Sequence, residues 1–402
     1  MESAEIVIIG AGAAGLMAAI WAGRANAQRR IVLLDGAKKL GAKVLVAGGG
    51  RCNVTHHQVD ATAFAGSSRN AIKKVLRRFD VPQTIRFFKQ QGVTLKQEET
   101  GKLFPTTDSS KTILNALLNA TRAAGVEIWH PRRVETVAQD ESGFVVRGAW
   151  GVMRAEKIVL ATGGRSIPKS GSDGHGYRLA EALGHHLTTR MFPALVPLTL
   201  PKSYFLCQLR GITLPATLDL WAGSGKRLQS FTDSTLLTHF GLSGPSVLDI
   251  SRYYLAALVD DPKTQLTANW VGVSSAEFEQ ALLSLGKKQP ITLLRQHLPE
   301  RMARALLAQA NIDGGQMTRQ QRKQLVALAT RCPLPITGNR GYNYAEVTAG
   351  GVPLAEINLK TMQSRLCPNL YFAGEICDVD GRIGGFNFQW AWASGYVAGT
   401  SL

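Results

Sequence analysis

No stretch of this chain approaches the roughly eighteen consecutive apolar residues that a membrane-spanning helix needs. Glu2 and Glu5 stand where a secretory leader would be positive. A cytoplasmic protein with no membrane partner is therefore expected. Cysteine is sparse too. Cys52, Cys207, Cys332, Cys367 and Cys377 form an odd set without a C-x-x-C pair, which argues against a disulfide framework and a zinc site. His56-His57 and His185-His186 lack partners at metal-ligand spacing, so no metal is expected. The third scarcity is acid: 29 Asp plus Glu against 46 Lys plus Arg, a formal charge of +17. That excess is large for an enzyme of small substrates and makes a polyanionic partner plausible. With 402 residues, 45% of them hydrophobic, the chain has room for an ordered core and two or three domains.

What is present begins with a change of period. Ile6-Val-Ile-Ile9 reads as a strand, Gly10-Ala-Gly-Ala-Ala-Gly15 as a tight turn, Leu16 to Ala22 as a helix, and Ile31-Val-Leu-Leu34 as a second strand ending at Asp35. Gly10, Gly12 and Gly15 fit the dinucleotide fingerprint G-x-G-x-x-G: one for the turn, one for close approach of a pyrophosphate, one for packing of helix on strand. N–H groups at the helix start, around Ala13 and Ala14, then face the phosphates. Asp35 is placed to accept ribose hydroxyls, and a carboxylate there favours an unphosphorylated ribose, as in NAD or the adenosine half of FAD.

Two later segments choose between these. Lys157 to Gly164, containing Ala161, Thr162 and Gly163, reads as a buried strand entering a glycine turn, and Asn369 to Glu375 reads as another. They resemble the A-T-G-G and Y-F-A-G-E segments of two-dinucleotide-type flavoproteins. That resemblance implies that Gly374 and Glu375 approach the ribityl chain or pyrophosphate of FAD. Beyond Asp378, the turn Gly384-Gly385-Phe386-Asn387 opens the small-residue run Trp390 to Gly399, a helix suited to packing on the first one. Its N-terminus carries partial positive charge, matched to charge gathering at N1 and O2 of a reduced flavin.

Ala47-Gly48-Gly49-Gly50-Arg51-Cys52-Asn53 is the least ordinary stretch, because three consecutive glycines cost stability wherever they are ordered. A bare backbone there could bring N–H groups to the isoalloxazine and phosphates, with Lys43 and Arg51 neutralising phosphate or polarising flavin oxygens. GAGAAG, GAKVLVAGGGRCNVT, TGKLFPTTDSSKTILNAL, LLTHFGLSGPSVL, AEVTAGGV and NLYFAGEICDVDGRIGGFNFQWAWASG together span almost the whole chain. They resemble the BaiN/RdsA-type family of bacterial flavoproteins, which takes in bile-acid reductases, aminoacetone-oxidase-like proteins and ribosomal RNA dihydrouridine synthases. Ala47 replaces a usual Ser or Thr, and Gly-Gly-Phe-Asn-Phe-Gln replaces the commoner Gly-Gly-Tyr-Asn-Leu-Gln.

The resemblance implies an α/β fold: a two-dinucleotide-type, Rossmann-like FAD domain (1–192 plus 343–402) split by a flattened β-barrel (193–273 plus 331–342) and a basic helical subdomain (274–330). Composition agrees. Pro193 to Ile250 is rich in Thr, Leu, Val and turn residues, Ser274 to Thr330 has helical Leu and Ala spacing, and Cys332-Pro-Leu-Pro-Ile336 would be a return linker.

One fingerprint is visible, so NAD(P)H, if it is the reductant, should dock transiently over the flavin. Reducing an activated C=C bond then needs hydride from the flavin and a proton from a positioned acid. Cys52, with a thiolate stabilised by Arg51, and His239 are the candidate acids, each against a purely structural reading. Asn53, Asn387 and Gln389 either orient a substrate amide or hold the pyrimidine edge of the flavin, the latter being favoured. Charge concentrates in two places. Lys73, Lys74, Arg77 and Arg78 share one helix, and between Lys287 and Arg331, which include Arg319, Arg322 and Lys323, nine basic residues face two acidic ones. Two basic helices suit a phosphate backbone. The leading expectation is an FAD-dependent NAD(P)H oxidoreductase reducing a pyrimidine base in ribosomal RNA. The rivals are a small-molecule redox enzyme and a flavin-bearing RNA-binding factor without turnover.

Overall fold

The computed structural model describes residues 2–286, 288–314 and 317–402, so Lys287 of the second basic cluster lies outside the described residues. The chain divides into two compact units, Met1–Pro193 with Glu346–Leu402 and Ala194–Ala345.

The first unit is built on a sheet with a parallel centre. Its middle strand, β1 (Glu2–Ile9), has β2 (Ile31–Leu34) and then Glu127–Trp129 on one side, and Gly151–Leu160 and then Leu370–Phe372 on the other. β1 begins four residues before the apolar run because Glu2, Ser3 and Ala4 pair with Met153 to Ala155. Ladder hydrogen bonds extend the strand where hydrophobicity does not. β2 is buried at all four positions, as a strand covered on both faces should be. The direction of chain progress reverses between β1 and Gly151–Leu160, which leaves a crevice at the carboxyl ends of the strands.

Helix α1 (Ala13–Ala25) follows β1 directly, and the helix Phe386–Gly399 lies along it. Small residues permit the contact: a methyl group built on Gly395 would lie 2.5 Å from Ala14 O, and one on Gly399 2.4 Å from Ala18 O. The tryptophans of the second helix are tethered as well as buried. Trp390 donates to Gly374 O at 3.0 Å and Trp392 to Val54 O at 2.8 Å.

The second unit carries a seven-stranded sheet in the order Cys332–Leu334, Gln265–Asn269, Thr213–Trp221, Arg227–Thr238, Gly241–Ser243, Leu198–Thr199, Gly338–Asn339. Among the described residues no ladder joins the two outermost strands. Cys332–Leu334 is thus an edge strand and not the linker its prolines suggested. Pro333 is tolerated because an edge leaves one side without a donor requirement. Pro245–Asp260 is a helix that overlaps the segment read as strands. Gly244 at its N-cap and proline in its first turn are helix-start signals that resembled turn punctuation. Helices Ser275–Leu283, Pro290–Leu294, Glu300–Gln309 and Arg319–Thr330 fill the expected helical stretch. No helix among the described residues is long and apolar enough to cross a membrane.

Candidate cofactor site

At the carboxyl edge of the parallel strands the first unit encloses a cavity of about 990 Å³. Gly10, Gly12, Ala13 and Ala14 line its floor, and they do different things. A methyl group on Gly12 would meet nothing within 4 Å, so that position looks into open space, and α1 starts there without a side-chain cap. Its first N–H groups are left for a ligand. Gly15 lies outside the lining: a methyl group there would sit 1.8 Å from Gly10 O, so its task is contact between helix and strand. Asp35, at the end of β2, accepts the N–H of Ala11 and of Ala37, each at 2.7 Å, which aims its carboxylate across the turn.

The glycine triplet is ordered. Ala42–Val46 is helical, Ala47 leaves the helix (φ −61°, ψ 143°), and Gly48, Gly49 and Gly50 take φ of 57°, 69° and 86°. Three successive left-handed residues demand glycine. Gly48 and Gly49 line the cavity, and a methyl group on Gly49 would meet nothing within 4 Å. Gly50 stands outside the lining. Lys43 and Glu375, 332 positions apart, form an ion pair within the cavity, and Glu375 also accepts the N–H of Thr348 at 3.0 Å. Arg51, Asn53, Ala161, Thr162, Gly163, Gly374, Gly384, Gly385 and Asn387 complete the sequence-derived residues that reach it.

Several expectations need correction. Cys52 is fully buried in the hydrophobic core and outside the cavity lining. Burial pushes its thiol up to about 12, so there is no thiolate. Arg51 does line the cavity but is already paired there: its guanidinium meets Glu98 at 2.6 Å and lies 4.1 Å from the Phe104 ring centre. Gln389 is consumed by the protein, accepting from the hydroxyls of Thr55 (2.7 Å) and Thr84 (3.0 Å) and donating to Phe79 O (2.8 Å). Asn387 clamps the turn before its helix, accepting from Gly381 N–H at 2.8 Å and donating to Gly381 O at 2.9 Å. Asp378 is buried off the cavity with Ser67 as a partner at 3.2 Å, and Phe386 stacks on His56 with ring centres 5.1 Å apart. His239 belongs to the second unit, exposed beside Phe240. His185 and His186 share Glu356, each at 2.8 Å. Among the described residues no group of three His, Cys, Asp or Glu could hold a metal.

Sequence reasoning overlooked Lys38, Lys39, Arg132, Arg133 and Lys102, which also line the cavity. Arg132 and Arg133 follow the strand Glu127–Trp129, and their signal was topological: loops after parallel strands border the crevice. The lining further includes three buried polar atoms without a hydrogen-bond partner, Asn53 Oδ1, Thr162 Oγ1 and Ser172 Oγ. Such atoms are costly unless a ligand satisfies them. An elongated polar molecule with an anionic middle fits the open glycine positions, the cations and these orphaned groups.

The family model described as the HI0933-like protein Rossmann domain matches residues 4–401. The chain belongs to that HI0933-like family. Its members are FAD-binding Rossmann proteins, and the chain is accordingly an FAD-dependent oxidoreductase. The ribosomal RNA dihydrouridine synthase of Escherichia coli (strain K12) is 35% identical, with 100% of this chain and 98% of that one aligned. The 3-dehydro-bile acid delta(4,6)-reductase of Clostridium scindens is 32% identical, with 98% of each aligned. Among solved structures, the 3-ketosteroid delta1-dehydrogenase of Sterolibacterium denitrificans superposes with a TM-score of 0.54 at 12% identity, covering 99% of both chains. E. coli quinol fumarate reductase superposes with the same TM-score at 16% identity, covering 100% of this chain and 70% of that one. At such identities the likeness is one of fold.

Proposed function

We propose that this enzyme takes hydride from NAD(P)H and reduces a pyrimidine base, uridine to dihydrouridine, in ribosomal RNA in the cytoplasm. Bound FAD supplies the hydride chemistry. The chain supplies its binding and orientation. N–H groups at the start of α1 and Lys43 take the pyrophosphate, Asp35 the adenosine ribose, Glu375 the ribityl hydroxyls, and the Gly384–Gly385 turn with Asn53 the pyrimidine end. Gly48 and Gly49 keep the cofactor side free of side chains, so a flat base or a nicotinamide can approach closely.

The observation that carries the RNA reading is a free basic surface. Lys73, Lys74, Arg77 and Arg78 are all exposed on and just after the helix Arg69–Leu76, and Arg86 and Lys89 are exposed on the helix Val81–Gln90 that follows. Among the described residues none of the six pairs with a carboxylate. Four like charges within six residues repel one another mildly, and a phosphate backbone would relieve that repulsion. The dihydrouridine synthases at 35% and 33% identity lend support. A second reading, reduction of a small conjugated enone, is favoured by the bile-acid reductase at 32%. Mapping reduced uridines in total RNA from cells lacking the gene separates them. We expect one or more dihydrouridines to vanish from ribosomal RNA, and an unchanged map would overturn the proposal.

A further inference from the structure

Lys43 is paired with Glu375 and Arg51 with Glu98, so these cavity cations already have partners. Lys102 differs. It opens the strand Lys102–Pro105, is half-buried, and lines the same cavity. Among the described residues no carboxylate pairs with it. Its stem lies along the glycine turn: a methyl group built on Gly384 would be 3.5 Å from Lys102 Cε and 3.7 Å from its Cγ. That turn is the N-terminus of the helix Phe386–Gly399, where partial positive charge already gathers.

Asn53 is the second, independent observation. The residue is 8% exposed, and its Oδ1 is buried against the cavity without a donor. A buried amide oxygen without a donor lowers stability unless a ligand answers it, and an ammonium without a carboxylate in the same cavity attracts negative charge. That ligand should present an N–H group near oxygen or nitrogen able to carry negative charge. The pyrimidine ring of a flavin has an imide N–H between two carbonyls and holds negative charge once a hydride has arrived.

We propose that Lys102 is the counter-ion of the reduced flavin, with Asn53 Oδ1 accepting the imide N–H. The balance is simple. A reduced nicotinamide breaks its C4–H bond and delivers two electrons and one proton to flavin N5. The nicotinamide leaves as its oxidised cation, and one negative charge stays spread over N1 and the C2 oxygen. The Lys102 ammonium, aided by the helix N-terminus, holds that charge, so no second proton is taken up near neutral pH. This rests on FAD filling the cavity and is independent of what the substrate is.

Two measurements on the FAD-loaded protein test it. In the unaltered protein the midpoint potential should fall by about 30 mV per pH unit around neutrality, the value for one proton per two electrons. A slope of about twice that means a second proton arrives and overturns the proposal, with no variant needing to fold. Sulfite is the second probe, because it adds at N5 and leaves negative charge on the same ring. Lys102→Met should lower sulfite affinity about tenfold and the potential by about 30 mV, its two-electron equivalent. Lys102→Arg should keep both close to the unaltered protein, which loss of side-chain packing alone would not predict. A Lys102→Met protein that retains FAD with unchanged sulfite affinity and potential overturns the proposal. Protein that retains no FAD in its unaltered form would instead remove the cofactor assignment on which it rests.

Discussion

The helices Arg69–Leu76 and Arg319–Thr330 look alike in sequence, each with closely spaced cations, and the structure treats them differently. Around the first, Lys73, Lys74, Arg77 and Arg78 are exposed and unpaired among the described residues. In the helical part of the second unit, much of the charge is answered internally. Arg322 is half-buried against Glu279 at 3.1 Å, and Glu300 accepts from both Arg295 (2.7 Å) and Arg304 (2.6 Å). Those guanidiniums, Arg295 first, hold the Glu300 carboxyl down at about 2. Arg331 lies over the Trp221 ring at 4.3 Å. Net charge counts cations, whereas binding of a polyanion depends on the cations left without partners. Arg319 and Lys323 remain exposed, so the second surface is reduced and not abolished.

The contrast can be broken most forcefully by reversing Lys73, Lys74, Arg77 and Arg78 to Glu together. The slope of log K against log salt for duplex ribosomal RNA should flatten by about three to four units, at about 0.9 per phosphate contact. FAD content should be unchanged, since these residues lie outside the cavity lining. Arg319 and Lys323 reversed to Glu should flatten the slope by about two units at most. Arg322→Ala should leave the slope where it was. It should instead lower stability in urea by about 0.5–1 kcal/mol, the scale of a partly exposed ion pair. Equal salt slopes lost from the two helices, or an Arg322→Ala effect on RNA but none on stability, would erase the distinction.

How much was legible depended on how local the cause was. The β1–α1–β2 unit could be read closely, and β2 has the expected limits, because strand, turn and helix follow one another directly in sequence: Gly15 packs on Gly10 O within the turn and Gly12 faces open space, whereas the contact of Gly10 with Ala161, just past the strand Gly151–Leu160, is not local. The triplet Gly48-Gly49-Gly50 announced a demand for bare backbone but not its left-handed geometry. That geometry is held by Cys52 N–H reaching back to Ala47 O at 2.9 Å and by Val54 N–H donating to Leu103 O at 2.9 Å. Cys52 itself has φ of 61°, and the thiol that seemed poised beside Arg51 turns into the core. Gln389 was misjudged for a related reason: its partners Thr55, Thr84 and Phe79 are about three hundred residues away in sequence. Ion pairs such as Arg322 with Glu279 are likewise invisible to composition, since 43 positions separate them.

The measurement that bears most directly on the central claim uses the FAD-loaded protein, NADPH and a ribosomal RNA fragment under anaerobic conditions, with dihydrouridine read out by mass spectrometry at about 50 and about 200 mM salt. A steroid enone is run in parallel. The account predicts dihydrouridine at low salt and a loss of about a hundredfold or more in RNA affinity at the higher salt, as expected when several phosphate contacts are released. Rapid, salt-indifferent reduction of the enone with no dihydrouridine at either salt would contradict it.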